Sequence, residues 1–107
     1  MDWEIAASGF SAMGSEARLR VLKILVRAGD DGLTVGEIQE RTGIAPSTLA
    51  HHLKFLAAGG VVKQEKVGRS TLNRASYDNL RDLADFILGE CCADVGDSVK
   101  RKAANDG

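Results

Sequence analysis

Two histidines stand side by side, His51 and His52, in the run PSTLAHHLKFLAAGG, and the chain has no other histidine. Four chemistries compete for them. A zinc site wants several His, Cys or acidic side chains converging on one point. Neighbours on a helix diverge by about 100°, so this pair does not clamp one metal, and no third histidine helps. Catalysis needs a nucleophile or a paired acid with a group to orient it. No such pair is near, and no phosphate loop or metal cluster occurs elsewhere, so an enzyme is not expected. Two roles remain. One ring packs half-buried beside Leu49 and Leu56, hydrogen-bonded within the fold, or the rings meet a partner outside the chain.

The surrounding charges bear on that choice. The whole chain has a net charge of −1, which argues against a polyanion as partner. Between Pro46 and Ser76, however, stand Lys54, Lys63, Lys66, Arg69 and Arg74 against the single acid Glu65. That stretch carries +4 and leaves −5 to the remainder, and a local positive field is enough to meet a polyanion. Cys91 and Cys92 are the other pair with chemistry in them. Their Cα atoms are about 3.8 Å apart across a trans peptide, short of the roughly 4.4–6.8 Å of an ordinary structural disulfide. A disulfide-stapled secreted fold is therefore not expected. The first ten residues carry acids and no Lys or Arg, unlike a signal peptide. No apolar run approaches the ~20 residues of a membrane span. The expectation is a soluble, cytoplasmic protein with no membrane partner.

The elements that must position these residues follow from periodicity and punctuation. Trp3, Ala6, Phe10 and Met13 share one helical face, ended by Gly14. Ser15 caps a second helix whose apolar stripe reads Leu19, Leu22, Leu25 and Val26. After the turn Ala28–Gly32, Thr34 and Glu37 form a capping box for a short helix, Val35–Arg41. That helix stops at Thr42-Gly43, and Pro46 suits the first position of the next. Leu49, Leu53 and Leu56 then face inward, leaving Ser47, Thr48, His51, His52 and Phe55 mostly outward. Gly59-Gly60 ends it. VVKQEKV and STLNRAS read as a β-hairpin turning at Gly68-Arg69, and Tyr77–Asp94 as a last helix with Leu80, Leu83, Ala84, Ile87, Leu88 and Cys91 on its apolar side. The fold class is mainly α with a β-hairpin wing, a winged helix-turn-helix. The folded domain spans 1–94, and 95–107 reads as a flexible tail.

In a helix-turn-helix the second helix enters the major groove of double-stranded DNA. Ser47 and Thr48 sit at its entry end, where hydroxyls and backbone N–H groups hold phosphate. His51 or His52 donates to a base or phosphate without fixed charge. Lys54 lies toward the groove flank. Arg69 at the hairpin tip reaches the neighbouring minor groove, and Lys63, Lys66 and Arg74 add a salt-dependent term. The competing reading is a winged helix that binds protein rather than DNA.

The run STLAHHLKFLAAGGVVKQEKVGRS resembles the recognition helix and wing of the ArsR/SmtB family of winged-helix repressors, and ARLRVL (17–22) resembles that family's second helix. The resemblance extends from about Met13 to Cys92. It implies a homodimer that binds an imperfect inverted repeat and leaves it when an inducer binds. It also implies major-groove contacts by Ser47, Thr48, His51 and His52 and a wing contact by Arg69. A dimer built through the first and last helices would use Trp3, Phe10, Leu83, Ile87 and Cys91. Departures from the pattern are Pro46 where metal-sensing members often have Gln, Ala50 in place of Ser, and Asn73 where an aromatic is common on the second wing strand.

No cofactor is required, and the family's sensor sites narrow the inducer. The short helix VGEIQER has no cysteine, and the last helix has no histidine. Glu90-Cys91-Cys92 resembles the vicinal cysteines with which some members bind trivalent arsenic on the last helix, although those members add a third cysteine. Soft thiolates suit a thiophilic ion, so As(III) or Sb(III) at Cys91 and Cys92 is the expected inducer. Thiol oxidation or plain packing of Cys91 are the alternatives.

Overall fold

A computed structural model describes residues 1–95. The elements are α1 (Trp3–Met13), α2 (Glu16–Ala28), β1 (Leu33–Thr34), α3 (Val35–Thr42), α4 (Pro46–Ala58), β2 (Val62–Val67), β3 (Ser70–Ala75) and α5 (Tyr77–Leu88). The expected tail, 95–107, lies outside the described residues except for Val95.

Three helices, α1, α2 and α3, begin on side-chain caps. Asp2 accepts from the Ile5 N–H at 2.8 Å, and Ser15 from the Arg18 N–H at 3.1 Å. Thr34 and Glu37 form the full capping box, with the Thr34 N–H donating to Glu37 Oε1 at 3.0 Å and the Glu37 N–H to Thr34 Oγ1 at 3.2 Å. Such reciprocal bonds satisfy donors that a helix start otherwise leaves orphaned. Gly43 closes α3 in the left-handed region, φ 71°, its N–H bonded to the Gln39 carbonyl at 2.7 Å. Pro46 opens α4. At the other end Gly60, φ 79°, lets the Val61 N–H reach back to the Leu56 carbonyl at 3.1 Å. That six-to-one bond turns the chain directly into the wing.

Leu25, Ile38, Leu49, Leu53, Leu56 and Leu83 are the large fully buried side chains, so the core lies where α2, α3 and α4 meet, with Leu83 bringing α5 against α1. Helix α1 covers it with small residues: Ala6, Gly9 and Ala12 are buried. The Leu83 side chain occupies the space a Gly9 Cβ would need, and Gly59 leaves no room for a Cβ between α4 and α1. Four expectations need correction here. Leu83, expected at a subunit interface, is 1% exposed because it fills the hollow over Gly9 inside the protomer. On α2 the inward residues are Val21, Leu22 and Leu25, and Leu19 and Val26 are exposed. The hairpin gains a third strand, β1, giving the antiparallel order β1-β3-β2. Finally, α5 stops at Leu88 rather than Asp94. The Gly89 N–H bonds to the Asp85 carbonyl at 2.6 Å, and after it the chain runs in short turns with Cys92 at φ 63°.

Asn73 holds the sheet together. It is fully buried, and Leu33 pairs with it across β1 and β3. Its Nδ2 donates to the Leu33 carbonyl at 3.1 Å, while its Oδ1 accepts from Gln64 Nε2 at 2.9 Å. A buried amide with these partners meets its hydrogen-bonding needs in place of an aromatic's packing.

Candidate nucleic-acid interface

The entry to α4 is open. Pro46, Ser47, Thr48, Ala50, His51, Lys54 and Phe55 are exposed, while Leu49, Leu53 and Leu56 anchor the opposite side of the helix. No side chain caps this helix start. The first-turn N–H groups and the Ser47 and Thr48 hydroxyls thus face solvent together, where a helix N-terminus favours an anion.

The histidines divide the two roles between them. His51 is exposed and meets Phe55 edge-on, with ring centroids 5.3 Å apart. His52 is half-buried, and its Nδ1 is buried without a hydrogen-bond partner, so the internal bond expected for a core ring is absent. Only Nε2 is left to His52 for an outside acceptor. Sequence reasoning missed the residue that braces this face. The Arg18 guanidinium lies 5.0 Å over the Phe55 ring and donates through Nε to the Ala12 carbonyl at 2.7 Å. One side chain thus stacks on α4 by a cation–π contact and satisfies a carbonyl at the end of α1. The signal was present in Arg18 and Phe55, but only the folded chain brings them together.

The wing stands beside this helix. Lys63, Lys66 and Arg69 are exposed, and Gly68, φ 60°, makes the turn before Arg69. Arg74 departs from the sequence reading. Its Nη1 donates to Glu65 Oε2 at 2.6 Å and its Nε to the Asp30 carbonyl at 2.7 Å, so it ties the wing to the turn after α2 instead of meeting solvent freely. The structure therefore gathers Ser47, Thr48, His51 and Lys54 on one helix face, with Lys66 and Arg69 on the adjoining hairpin and His52 set deeper.

The cysteines lie elsewhere. Cys91 and Cys92 are exposed in the turns after α5, with Sγ atoms 3.6 Å apart. Cys91 therefore does not lie on the last helix, as the sequence reading had it. The hydrogen bond to Cys91, and then the charge of an ionised Cys91, push the Cys92 thiol above its usual 9.0. Among the described residues no group of three or more His, Cys, Asp or Glu is placed to hold a metal ion, and no helix is long and apolar enough to cross a membrane. Trp3, Phe10 and Ile87 are exposed apolar residues on α1 and α5, Trp3 at 81%, with its ring edge-on to Phe86 at 5.1 Å.

Comparison with known proteins agrees with this arrangement. Residues 13–65 match a family described as a helix-turn-helix domain. The nodulation protein NolR of Rhizobium meliloti is 30% identical over 101 residues, covering 94% of this chain and 80% of that protein. An uncharacterized HTH-type transcriptional regulator of Methanocaldococcus jannaschii is 36% identical, covering 79% of this chain and 93% of its own length. An ArsR-like transcriptional regulator from Rhodococcus sp. RHA1 superposes with a TM-score of 0.72 at 29% identity, covering 95% of this chain and 90% of that one.

Proposed function

Because the chain belongs to the ArsR family of winged helix-turn-helix transcription regulators, we propose that it is a homodimeric repressor that binds an inverted-repeat operator and is released by trivalent arsenic or antimony at Cys91 and Cys92. The observation that carries the DNA-binding part is the single outward face of α4, with Ser47, Thr48, His51 and Lys54 exposed beside the Arg69 wing tip. Ser47 and Thr48 would hold backbone phosphate, and His51 and the Nε2 of His52 would donate to base-edge or phosphate acceptors. Lys54, Lys66 and Arg69 would supply the salt-dependent term.

Dimerisation rests on the apolar surface that α1 and α5 leave uncovered: Trp3, Phe10 and Ile87. A small domain buries a limited share of its apolar surface, and a second copy hides more. Two recognition helices about one DNA turn apart, roughly 34 Å, then read the two half-sites.

The inducer reading rests on two exposed thiols in contact with each other. Arsenous acid would react by exchanging two hydroxyls for two sulfurs. Each thiol proton leaves with a hydroxide as water, and one hydroxyl stays on arsenic. Bridging the two sulfurs fixes the turn beyond α5, next to the dimer surface, and alters the spacing of the two heads. A coupling of about 1–3 kcal/mol weakens DNA binding on the order of 5- to 150-fold. The same 3.6 Å contact favours a second reading, oxidation of the pair by a hydroperoxide. One thiolate would take an oxygen from the peroxide and the thiol proton would pass to the departing alkoxide, giving a sulfenic acid and an alcohol.

The test is binding of the reduced protein to a labelled duplex from upstream of its own gene, titrated with arsenite. Release by arsenite that disappears in Cys91→Ser/Cys92→Ser supports the arsenic reading. Binding that ignores arsenite but is lost on peroxide treatment transfers the pair to redox sensing. Release that persists in the double serine variant removes the cysteines from the mechanism.

A further inference from the structure

The bases of the recognition helix and wing are not the only cluster. Helix α2 carries Arg18, Arg20, Lys23 and Arg27 against a single acid, Glu16. Arg18 is engaged with Phe55 and the end of α1. The spacing of Arg20, Lys23 and Arg27 places them along one side of the helix. Arg20, Lys23 and Arg41 line an open cleft with Ile24, Thr42 and Ile44, and Glu16 on its rim holds Arg20 at 2.8 Å. Arg27 and Arg41 line a smaller depression that shares Ile24.

One observation orients this cleft. One wall is Thr42 and Ile44, the turn that feeds directly into Pro46 at the open start of α4. The other wall is the side of α2 that carries Arg20 and Lys23, turned away from the Arg18 that meets Phe55. Through that turn the cleft adjoins the open start of α4. Its charges also have no structural employment. Among the described residues, the side chains of Lys23, Arg27 and Arg41 form no hydrogen bond or ion pair. The Glu37 carboxylate, on the same helix as Arg41, is already bonded to Thr34. Cations held together without counter-ions repel one another, and an anion spanning them relieves that repulsion.

We propose that this cleft is a second DNA-backbone site: Lys23 and Arg41, with Arg20 on the rim, grip phosphates flanking the groove that α4 enters. The inference rests on the DNA-binding reading above and extends its footprint from helix and wing to the opposite side of the turn. The contact is to phosphate alone, so it adds affinity to every sequence equally and no base preference.

The experiment uses fluorescence anisotropy with a labelled mixed-sequence duplex of about four helical turns, measured across a salt series. Wild type is compared with Lys23→Gln, Arg41→Gln, their double variant, and Arg69→Ala. All the substituted side chains are exposed, and a thermal melt of each variant confirms an unchanged fold. Each lost phosphate contact should lower the slope of log K against log salt by about 1 and weaken binding on the order of tenfold near 0.1 M salt. In the proposed homodimer each single variant loses two such contacts and the double variant four. If the double variant keeps the wild-type slope and affinity while Arg69→Ala loses both, the cleft is not a phosphate site and the DNA-binding reading stands. Weakened binding with an unchanged slope also overturns the inference, because a lost ionic contact must change the slope. If wild type shows no salt-dependent binding to the duplex, both readings fall together.

Discussion

Replacing Gly59 with alanine sets two opposed effects against each other. Its backbone, φ −79° and ψ −2°, is one that any residue adopts. On conformational grounds alone Gly59→Ala should stabilise the protein by about 0.4–1 kcal/mol, through a less flexible unfolded chain. Packing says the reverse. A Cβ at this position would collide with the Ala12 methyl and stand 2.9 Å from the Ser8 carbonyl oxygen. Both obstacles sit on or next to the α1 backbone, and neither has a flexible end to swing aside. Helix α1 must lift from α4, and overpacking of this kind costs about 1–3 kcal/mol. The net expectation is a loss of about 1–2 kcal/mol. Urea denaturation followed by circular dichroism should show a lower midpoint at constant slope. Ala12→Gly alone should cost about 1 kcal/mol as a helix-interior glycine. Combined with Gly59→Ala it should recover at least ~0.5 kcal/mol through coupling between the two sites. A Gly59→Ala protein as stable as wild type or more so, or a cycle with no coupling, would refute the claim that this contact sets how closely α1 approaches.

Three further outcomes follow from the geometry. Arg18→Lys keeps the charge but loses the planar guanidinium that bonds Ala12 and covers Phe55, so stability should drop by about 2 kcal/mol in the same urea assay; an Arg18→Lys protein equal to wild type contradicts that bracing role. The backbone N–H of Thr34, and then its hydroxyl, hold the Glu37 carboxyl below its usual 4.5. A depressed carboxyl contributes stability above its unfolded value and loses it as pH falls through the lower folded one. Acid titration below 4.5 should therefore be steeper in wild type than in Glu37→Gln, and equal slopes would count against the capping box as a contributor. Ile87→Asp should raise the dimer dissociation constant at least about tenfold by sedimentation, roughly 1.4 kcal/mol; an unchanged constant places the interface elsewhere.

Features carried by neighbouring residues were legible in the sequence. The capping box needs only Thr34 and Glu37, the start of α4 only Pro46, and its end only Gly59-Gly60, and each appears where the sequence reading placed it. The outward residues of α4 follow from the inward leucines. The misses involve distant partners. Strand β1 has two residues and pairs with Leu72 and Asn73, some forty positions away, so no local pattern announces it. Asn73 read as a missing aromatic because its three hydrogen-bonding neighbours meet only in the folded sheet. Leu83 and Ile87 share an apolar helix face, yet one is buried and the other is 63% exposed. The hollow over Gly9, on another helix, makes that difference. Arg74 looked like one more surface base until Glu65 and Asp30 closed around it.

The order of the sheet has a mechanical consequence. Its central strand, β3, bonds on one side to β1, which passes straight into α3, and on the other to β2, which follows α4 after a tight turn. After β3 a single residue, Ser76, separates the sheet from α5, and the Tyr77 hydroxyl donates to the Val26 carbonyl of α2 at 2.9 Å. Among the described residues, recognition helix, hairpin and last helix are thus joined through short links and hydrogen bonds to one sheet. In the proposed dimer, a torque applied beyond Leu88 would therefore act on these joined parts together. The compliant element in a dimer of such units is the seam between the two copies, and a small tilt there is magnified at the far end of each recognition helix.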